Sequence, residues 1–401
     1  MKILLVNTWY YPNIEGGAEQ STKLLAENLV KAGNEVAVYC IDSETDEMTI
    51  EIINGVRIYR GNGGGYLKKI KNEGKFNKLW IKYKDIYNYK SNKEIMGVIN
   101  DFNPEIVHTN CLNGISISIW KRIKSAKIPI LHTLRDYALI SPRGILEIKA
   151  ERKGIYQIYL YLHKYICKKY SNIVDGVTAP SKFTVNIFTD NGYFKNAKCT
   201  RCVVNSIEYS NDELINNIKF QEKKQGEIIN FLFVGRLLEL KGLKKLVEEF
   251  KKIKDKNIRL IICGDGNLRK YILDSEVEDS RIIYKGKLTQ AELKNIYMIS
   301  DVLIVPSIWD EPFGRVVIEG NYYGMPVIAS NRGGIPEIID TLNGGISYNS
   351  EDNYELRNAI IKLSNRDLYS GFRQSIINNM YNYDISQQIE NFISIYRKLL
   401  E

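Results

Sequence analysis

Residues 301–337, DVLIVPSIWDEPFGRVVIEGNYYGMPVIASNRGGIPE, leave the chain few folds to choose from. A run of four apolar residues, 302–305, stops at Pro306 and gives way to a polar loop. Short unbroken apolar runs of this kind are strands buried on both faces of a parallel sheet. Glu311, Pro312, Phe313 and Gly314 then lead into a helical pattern that holds Glu319 one to two turns inside and closes at Gly324 and Pro326. A second apolar run, 327–329, enters the loop Gly333-Gly334. The order is therefore strand, loop with a carboxylate, helix with a carboxylate, strand, glycine loop. In an α/β protein that order places a ligand at the carboxyl ends of parallel strands. The helix starting near Gly314 would aim free N–H groups and the positive end of its dipole at an anion.

The rest of the chain repeats the theme. Residues 2–7 form a first strand, a loop with Gly16-Gly17 follows, 18–32 is a helix stopped by Gly33, and 35–41 is a second strand. This is the opening of a doubly wound fold. Residues 61–65, GNGGG, read as a flexible break. Strands at 105–110 and 128–133 carry His108 and His132 near their ends, and the second runs into Leu134-Arg135-Asp136-Tyr137. The two histidines read either as part of a cleft wall or as satisfied structural histidines. A tyrosine-rich helix at 154–170, a strand at 173–180, a helix capped by Ser181 and a strand at 199–204 complete the first half. Residues 206–227 are polar and charged and read as a linker. A second βα series begins at 228–234, continues through the loop GRLLELKG (235–242), a helix at 243–253, a strand at 259–263 and the tight loop Gly264-Asp265-Gly266, and reaches the stretch at 301–337. After Ser347 the chain reads as helical to its end.

At 401 residues the chain has room for two domains. No run approaches the ~18–20 apolar residues that a bilayer-spanning helix needs. The start, MKILLVNTWYYP, reads as a strand entering a loop and lacks the pattern of a secretion signal. A cytoplasmic location is expected. Net charge is +9, but lysine, isoleucine, asparagine and tyrosine are abundant throughout, so the charge alone names no partner. Residues 66–93 mix lysine with Leu67, Ile70, Leu79, Trp80, Tyr83, Ile86 and Tyr87. They read either as a solvated helical face with its core stripe or as a basic amphipathic surface for anionic lipid or a charged acceptor. The six scattered cysteines suit a reducing compartment. His163 and Cys167 with Cys199 and Cys202 have zinc-like spacing, but the C-x-x-C lies in a strand-like run and is weak alone.

Arg236 and Lys241 directly follow a strand inside a glycine-flanked loop. Two cations there suit a diphosphate, Arg236 in a bidentate way, or are ordinary surface charges. No Walker phosphate loop occurs. Glu311 and Glu319, eight residues apart, offer carboxylates to the vicinal hydroxyls of a ribose or a sugar. An acid–base pair for sugar hydrolysis would also use two carboxylates, but it leaves the cations and glycine loops unexplained.

With these residues in place the chain resembles the retaining glycosyltransferases of family 4, the group 1 glycosyl transferases. The resemblance rests on Glu311 and Glu319 in EPFGRVVIE, Arg236 and Lys241 in GRLLELKG, Gly16-Gly17-Ala18-Glu19, the segment APSKF at 179–183, Gly264-Asp265-Gly266, and GMPVIASNRGGIPE at 324–337. They fall in the family's order over nearly the whole chain. The resemblance implies the α/β GT-B fold, two Rossmann-like domains facing across a cleft. An acceptor-side domain at 1–205, joined by a last helix at about 383–401, would be followed by the linker at 206–227 and a nucleotide-sugar-binding domain at 228–382.

The same resemblance implies roles. Arg236 and Lys241 would stabilise the departing diphosphate and Glu311 would contact the donor sugar, which makes these three the catalytic candidates. Glu319 would hold the ribose. Phe313, Gly314, Arg315 and Val316 would meet sugar or phosphate, Gly266 and Leu288 the base, and Gly16 and Gly17 the diphosphate. His108, Arg135 and Asp136 are candidate sugar or acceptor contacts. No metal is expected, because cations and a helix dipole supply the charge stabilisation. No cofactor is expected either, the nucleotide diphosphate sugar being a co-substrate. The acceptor would be a glycan or glycolipid of cell-surface polysaccharide biosynthesis, an anionic membrane surface is a candidate partner at the inner face of the membrane, and no nucleic-acid partner is expected. One departure stands out. Many relatives carry T-L-H-D where this chain has Thr133-Leu134-Arg135-Asp136. Arginine is a permanent cation and no general base, which points to an acidic donor or acceptor or to altered activity. A nucleotide-sugar epimerase of the same fold and a non-catalytic nucleotide-sugar-binding subunit are the alternative readings.

Overall fold

A computed structural model describes residues 1–14, 16–42, 47–65, 81, 85–146, 154–222 and 228–401. The chain divides into two compact units: Met1–Ser206 with Ile385–Glu401, and Ile207–Asp384.

The first unit is built on a sheet of eight described strands. In chain order the elements are β1 (Lys2–Val6), α1 (Gly17–Lys31), β2 (Glu35–Ile41), β3 (Thr49–Ile53), β4 (Val56–Gly61), α2 (Tyr89–Phe102), β5 (Ile106–Thr109), α3 (Ile119–Ser125), β6 (Ile130–Thr133), α4 (Ile155–Ser171), β7 (Gly176–Ala179), α5 (Lys182–Asp190) and β8 (Cys199–Cys202). The sheet order is β3-β4-β2-β1-β5-β6-β7-β8. Every pairing is parallel except β3 with β4. The chain winds outward from β1, then returns to β5 on its other side, so β1 and β5 flank a topological switch point. The final helix, Ile385–Leu400, belongs to this unit: its Phe392, Ile395, Tyr396 and Leu399 join a core with Ile3, Leu5, Leu25 and Leu29. Gly176 lies so close that a Cβ there would stand 2.8 Å from Leu399.

Two expectations need correction here. The hairpin β3–β4 was not anticipated, although its Asn54-Gly55 turn has φ of 51° and 79°, the left-handed pair that an Asn-Gly hairpin adopts. Residues 61–65 are no loose break either. Gly63 is buried, its carbonyl accepts from Asn88 Nδ2 at 2.8 Å, and its N–H faces Glu94 Oε2 at 3.4 Å. Of the basic stretch 66–93, residues 66–80 and 82–84 lie outside the described residues, and Tyr89 opens α2.

The second unit has a wholly parallel sheet. It starts with α6 (Asn211–Glu222) and continues with β9 (Ile229–Val234), α7 (Leu243–Lys251), β10 (Ile258–Cys263), α8 (Arg269–Glu278), β11 (Ile282–Gly286), α9 (Gln290–Ile299), β12 (Val302–Val305), α10 (Arg315–Tyr322), β13 (Val327–Ser330), α11 (Ile335–Leu342), β14 (Gly345–Tyr348), α12 (Asn353–Lys362) and α13 (Tyr369–Asn379); the final helix is α14. The order β11-β10-β9-β12-β13-β14 puts the switch point between β9 and β12. Strand β12 is buried along its whole length, as its VLIV run requires. The stretch read as a linker is instead helix α6, with Leu214 and Ile218 buried and Asn217 Nδ2 donating to the Tyr322 carbonyl at 3.0 Å. The unit boundary falls at Ser206–Ile207, ahead of it.

Candidate active site

In the second unit the loops after β9 and β12 flank the switch point, where an α/β sheet opens a crevice beyond its strand ends. The first loop carries Arg236 and ends in a short 3₁₀ turn, Glu239–Lys241. Gly242 follows with φ 71°, and a Cβ there would lie 1.8 Å from the Pro306 carbonyl oxygen. Only glycine lets the two loops meet so closely. The Ile308 N–H donates to the Leu240 carbonyl at 2.9 Å, stitching them together. Lys241 is thereby delivered to Glu311. Its Nζ donates to Glu311 Oε1 at 2.5 Å and lies 5.5 Å from the centre of the Trp309 ring. Ser307 Oγ donates to the same carboxylate oxygen at 2.6 Å. Glu311 is 8% exposed; an ammonium and a hydroxyl together offset its loss of hydration.

The glycine loop after β13 braces Glu311 from behind. Gly333 has φ 63°, and a Cβ on it would stand 2.1 Å from the Glu311 carbonyl oxygen. The Gly334 N–H donates to that oxygen at 2.8 Å. Gly314, with φ 106°, caps the start of α10. Gly320 seats that helix on β12, since a Cβ there would reach Leu303 at 2.6 Å. Glu319 is half-buried on α10. Arg315 Nε donates to its Oε1 at 2.8 Å and Tyr297 Oη to its Oε2 at 3.1 Å. Tyr297 is itself buried and stacks on Tyr323, 4.8 Å between ring centres. Burial, then the charge of Glu319, push the Tyr297 phenol well above its ordinary range, so it stays a donor.

Arg236 is placed differently from Lys241. It is exposed, and its guanidinium makes no hydrogen bond or ion pair among the described residues. Gly266 has φ 157°, and a Cβ on it would lie 2.6 Å from the Leu237 carbonyl oxygen, so the 264–266 loop packs on the Arg236 loop. Leu288 is half-buried just ahead of Thr289, which caps α9. Val316 is half-buried in the first turn of α10. The Phe313 ring is buried, 6.2 Å from that of Tyr383, which leaves its backbone as the part that faces the loop.

In the first unit the ends of β5, β6 and β8 converge on Arg135. Its Nε donates to Asn110 Oδ1 at 2.8 Å and its Nη1 to Asn205 Oδ1 at 2.7 Å. Asp136 accepts from the Ala138 N–H at 2.8 Å and from Asn113 Nδ2 at 3.4 Å. Asn110, Asn113, Arg135 and Asp136 line a cavity of about 60 Å³ floored by Leu112, Ile117, Leu134 and Leu139. His108 is corrected as a contact residue. It is fully buried, with Nδ1 2.7 Å from Tyr396 Oη and Nε2 2.6 Å from Thr133 Oγ1. His132 is buried too, its Nδ1 2.9 Å from Thr109 Oγ1 and its ring on Phe194. Burial first, then the charge of Arg135, holds the His108 pKa well below the ordinary histidine range. Burial brings His132 down to about 3. Both are held in buried hydrogen bonds, and His132 also lines that cavity. Gly16 and Gly17 sit exposed at the start of α1. At Gly16, with φ −168° and its nearest neighbour 3.5 Å from a Cβ position, the backbone does not demand glycine. The zinc-like quartet is not assembled: among the described residues no group of three or more His, Cys, Asp or Glu side chains is placed to hold a metal ion. No helix among the described residues is long and apolar enough to cross a membrane.

Sequence reasoning found the acidic and basic residues of these loops but missed what holds them. Asn110, Asn205 and Tyr297 have no motif around them, and Ser307 and Trp309 lie inside the 301–337 stretch with nothing in their spacing to single them out. The only signal for the asparagines is their place just past strand ends.

Solved structures share this fold. The chain superposes on sucrose-phosphate synthase from Thermosynechococcus elongatus with a TM-score of 0.76 at 19% identity, covering 99% of this chain and 98% of that one. It superposes on Anabaena HepE in complex with UDP and glucose with a TM-score of 0.69 at 16% identity, covering 99% and 100%. Two parallel-sheet α/β domains of this kind are the GT-B fold of glycosyltransferases. The profile described as Glycosyltransferase Family 4 matches residues 15–201, and that described as Glycosyl transferases group 1 matches residues 215–383. A Klebsiella pneumoniae protein described as an uncharacterized 42.6 kDa protein in the cps region is 32% identical over 348 residues, 84% of this chain and 87% of that protein. The chain belongs to this family of glycosyltransferases, family 4 with its group 1 domain.

Proposed function

We propose that this glycosyltransferase moves a hexose from a nucleotide diphosphate sugar to a glycan or lipid-linked acceptor in cell-surface polysaccharide biosynthesis, with retention of anomeric configuration and without a metal. The observation that carries the reading is the Lys241–Glu311 pair at the second unit's switch point, with Arg236 exposed in the same loop.

Bond cleavage at the donor leaves a nucleoside diphosphate whose charge grows in the transition state. Arg236 meets that charge with a fork of donors, Lys241 with a point charge already fixed in place, and the start of α10 with its N–H groups. Fixed charges stabilise the leaving group without reorganising during the reaction. Glu311, neutralised on one oxygen by Lys241, turns its remaining capacity to the donor sugar. Glu319, oriented by Arg315 and Tyr297, takes the ribose hydroxyls. Gly266 and Leu288 line the base. The UDP complex of HepE supports a uridine donor, and the cps-region relative supports a polysaccharide product. Arg135 and Asp136 receive a sugar or acceptor group, with Arg135 favouring an acidic one.

The test is a panel of nucleotide sugars, with and without acceptor extracts, read by nucleoside diphosphate release in the presence and absence of EDTA. Acceptor-dependent release that EDTA leaves intact, with an anomeric product signal matching the donor, is expected. No binding and no release with any donor would overturn the reading. Donor conversion without acceptor would mark an epimerase instead.

A further inference from the structure

Helix α4 turns an apolar face outward. Its sequence is IYQIYLYLHKYICKKYS. Leu160, His163, Cys167 and Ser171 are buried, and their spacing defines the inner side. On the opposite side Ile158 is 64% exposed, Tyr161 71%, Leu162 43% and Tyr165 59%. These positions fall at i, i+3, i+4 and i+7, so they form one continuous stripe. A surface helix ordinarily places polar residues there.

The charges of the helix itself are all of one sign. Helix α4 contains Lys164, Lys168 and Lys169 and no Asp or Glu. Lys168 Nζ lies 5.4 Å from the Tyr193 ring centre, and Lys121 Nζ of α3 lies 4.7 Å from that of Tyr170. At the other end the Arg143 guanidinium lies 5.3 Å from the Tyr156 ring. Tyr193 is itself buried, and Tyr156 and Tyr170 fall on the side of α4 away from the stripe, so these cations add positive charge around the helix without widening the stripe.

We infer that α4 is an interfacial helix that seats this protein on an anionic lipid bilayer. An exposed apolar stripe with a basic rim is the pattern of a helix lying in the headgroup plane. Tyrosine suits that depth, with its ring among acyl chains and its hydroxyl in the wet layer. The lysines meet anionic headgroups, each adding to the attraction near the surface. A second copy of the chain fits this face poorly. An isologous contact would bring the lysines of α4 towards their own equivalents, with no carboxylate on the helix to pair them. The inference stands apart from the transfer reaction, and lipid binding tests it without any donor or acceptor.

The full chain is to be sedimented with vesicles of phosphatidylcholine alone and of phosphatidylcholine with phosphatidylglycerol. Binding is expected with the anionic vesicles and is expected to weaken in high salt. The variant Ile158→Ser with Tyr161→Ser and Tyr165→Ser should lose at least ~10-fold in partitioning, and Lys169→Ala about five-fold. Because all four positions are exposed, unchanged circular dichroism is the control for folding. A Tyr161→Trp variant should show a blue-shifted emission with anionic vesicles. No binding of the wild type, no blue shift, or binding that the serine variant leaves unchanged would overturn the inference. So would a wild-type dimer that the serine variant converts to monomer without any affinity for lipid.

Discussion

The ammonium of Lys241 and the carboxylate of Glu311 lie 2.5 Å apart although 70 residues separate them in the chain. Each comes from a different strand end, and the pair closes only because Gly242 lets one loop rest on the Pro306 carbonyl. Arg236, five residues before Lys241, has no such partner among the described residues. Their variants should therefore part company. Arg236→Ala should lower turnover by ~10²-fold with little change in stability, as for an exposed substitution. Lys241→Ala should lower turnover and also destabilise the fold by about 1–3 kcal/mol, because it strands a buried carboxylate. Steady-state kinetics paired with thermal melts separates the two.

Glycine at 242 is required by space, glycine at 286 by conformation alone. Both have φ 71°, but a Cβ at Gly286 meets nothing within 4 Å. Gly286→Ala should cost about 1–2 kcal/mol, the penalty of left-handed backbone. Gly242→Ala adds a collision with the Pro306 carbonyl, so its melting temperature should fall further and its donor KM should rise, which Gly286→Ala should leave nearly unchanged.

Tyr297 holds Glu319 through its hydroxyl. Tyr297→Phe keeps the ring stack on Tyr323 and deletes the hydroxyl that holds one carboxylate oxygen. A lost hydrogen bond of about 1 kcal/mol corresponds to about a five-fold rise in donor KM, with kcat and acceptor KM little changed. A purely structural role would instead lower the melting temperature with no change in KM.

His132 gives the first unit an acid weakness. Its folded pKa of about 3 lies below the ordinary 6.5, so the unfolded chain binds the proton first. Its contribution to stability is complete above pH ~6.5 and is lost as pH falls towards 3, at about 1.4 kcal/mol per pH unit. His108 shifts in the same direction. Denaturant unfolding between pH 7 and 5 should show the fall, and His132→Gln should flatten the slope by about 1.4 kcal/mol per unit even if it starts less stable.

Strands buried on both faces were legible in the sequence because burial writes itself as an unbroken apolar run; VLIV makes up β12 and FLFV most of β9. Elements stabilised by other means were not. Strand β3 is an exposed edge, with Ile50 56% and Ile52 68% exposed, and its short TIEII alternation holds no unbroken apolar run to mark it. Helix α6 looked like a linker because part of its inner face is Asn217 and Gln221, which dock through amide hydrogen bonds rather than an apolar stripe. The candidate site divides likewise. Glu311, Glu319, Arg236 and Lys241 are legible from spacing and loop chemistry. Asn205 and Tyr297, which help to orient Arg135 and Glu319, reach them from 70 and 22 residues away, and no local pattern marks them.

Gly235, Gly242, Gly264, Gly266 and Gly333 leave the loops of the second unit interleaved, backbone against backbone: the Cβ positions of Gly264, Gly242 and Gly333 fall 1.8, 1.8 and 2.1 Å from carbonyl oxygens of neighbouring loops. Lengthening one loop would unseat the next. Relatives that differ in sugar preference while keeping these contacts are thus restricted to exchanging side chains on loops of fixed length, and a library that varies residues such as Leu288, Trp309 and Val316 without insertions is the economical way to retune the donor.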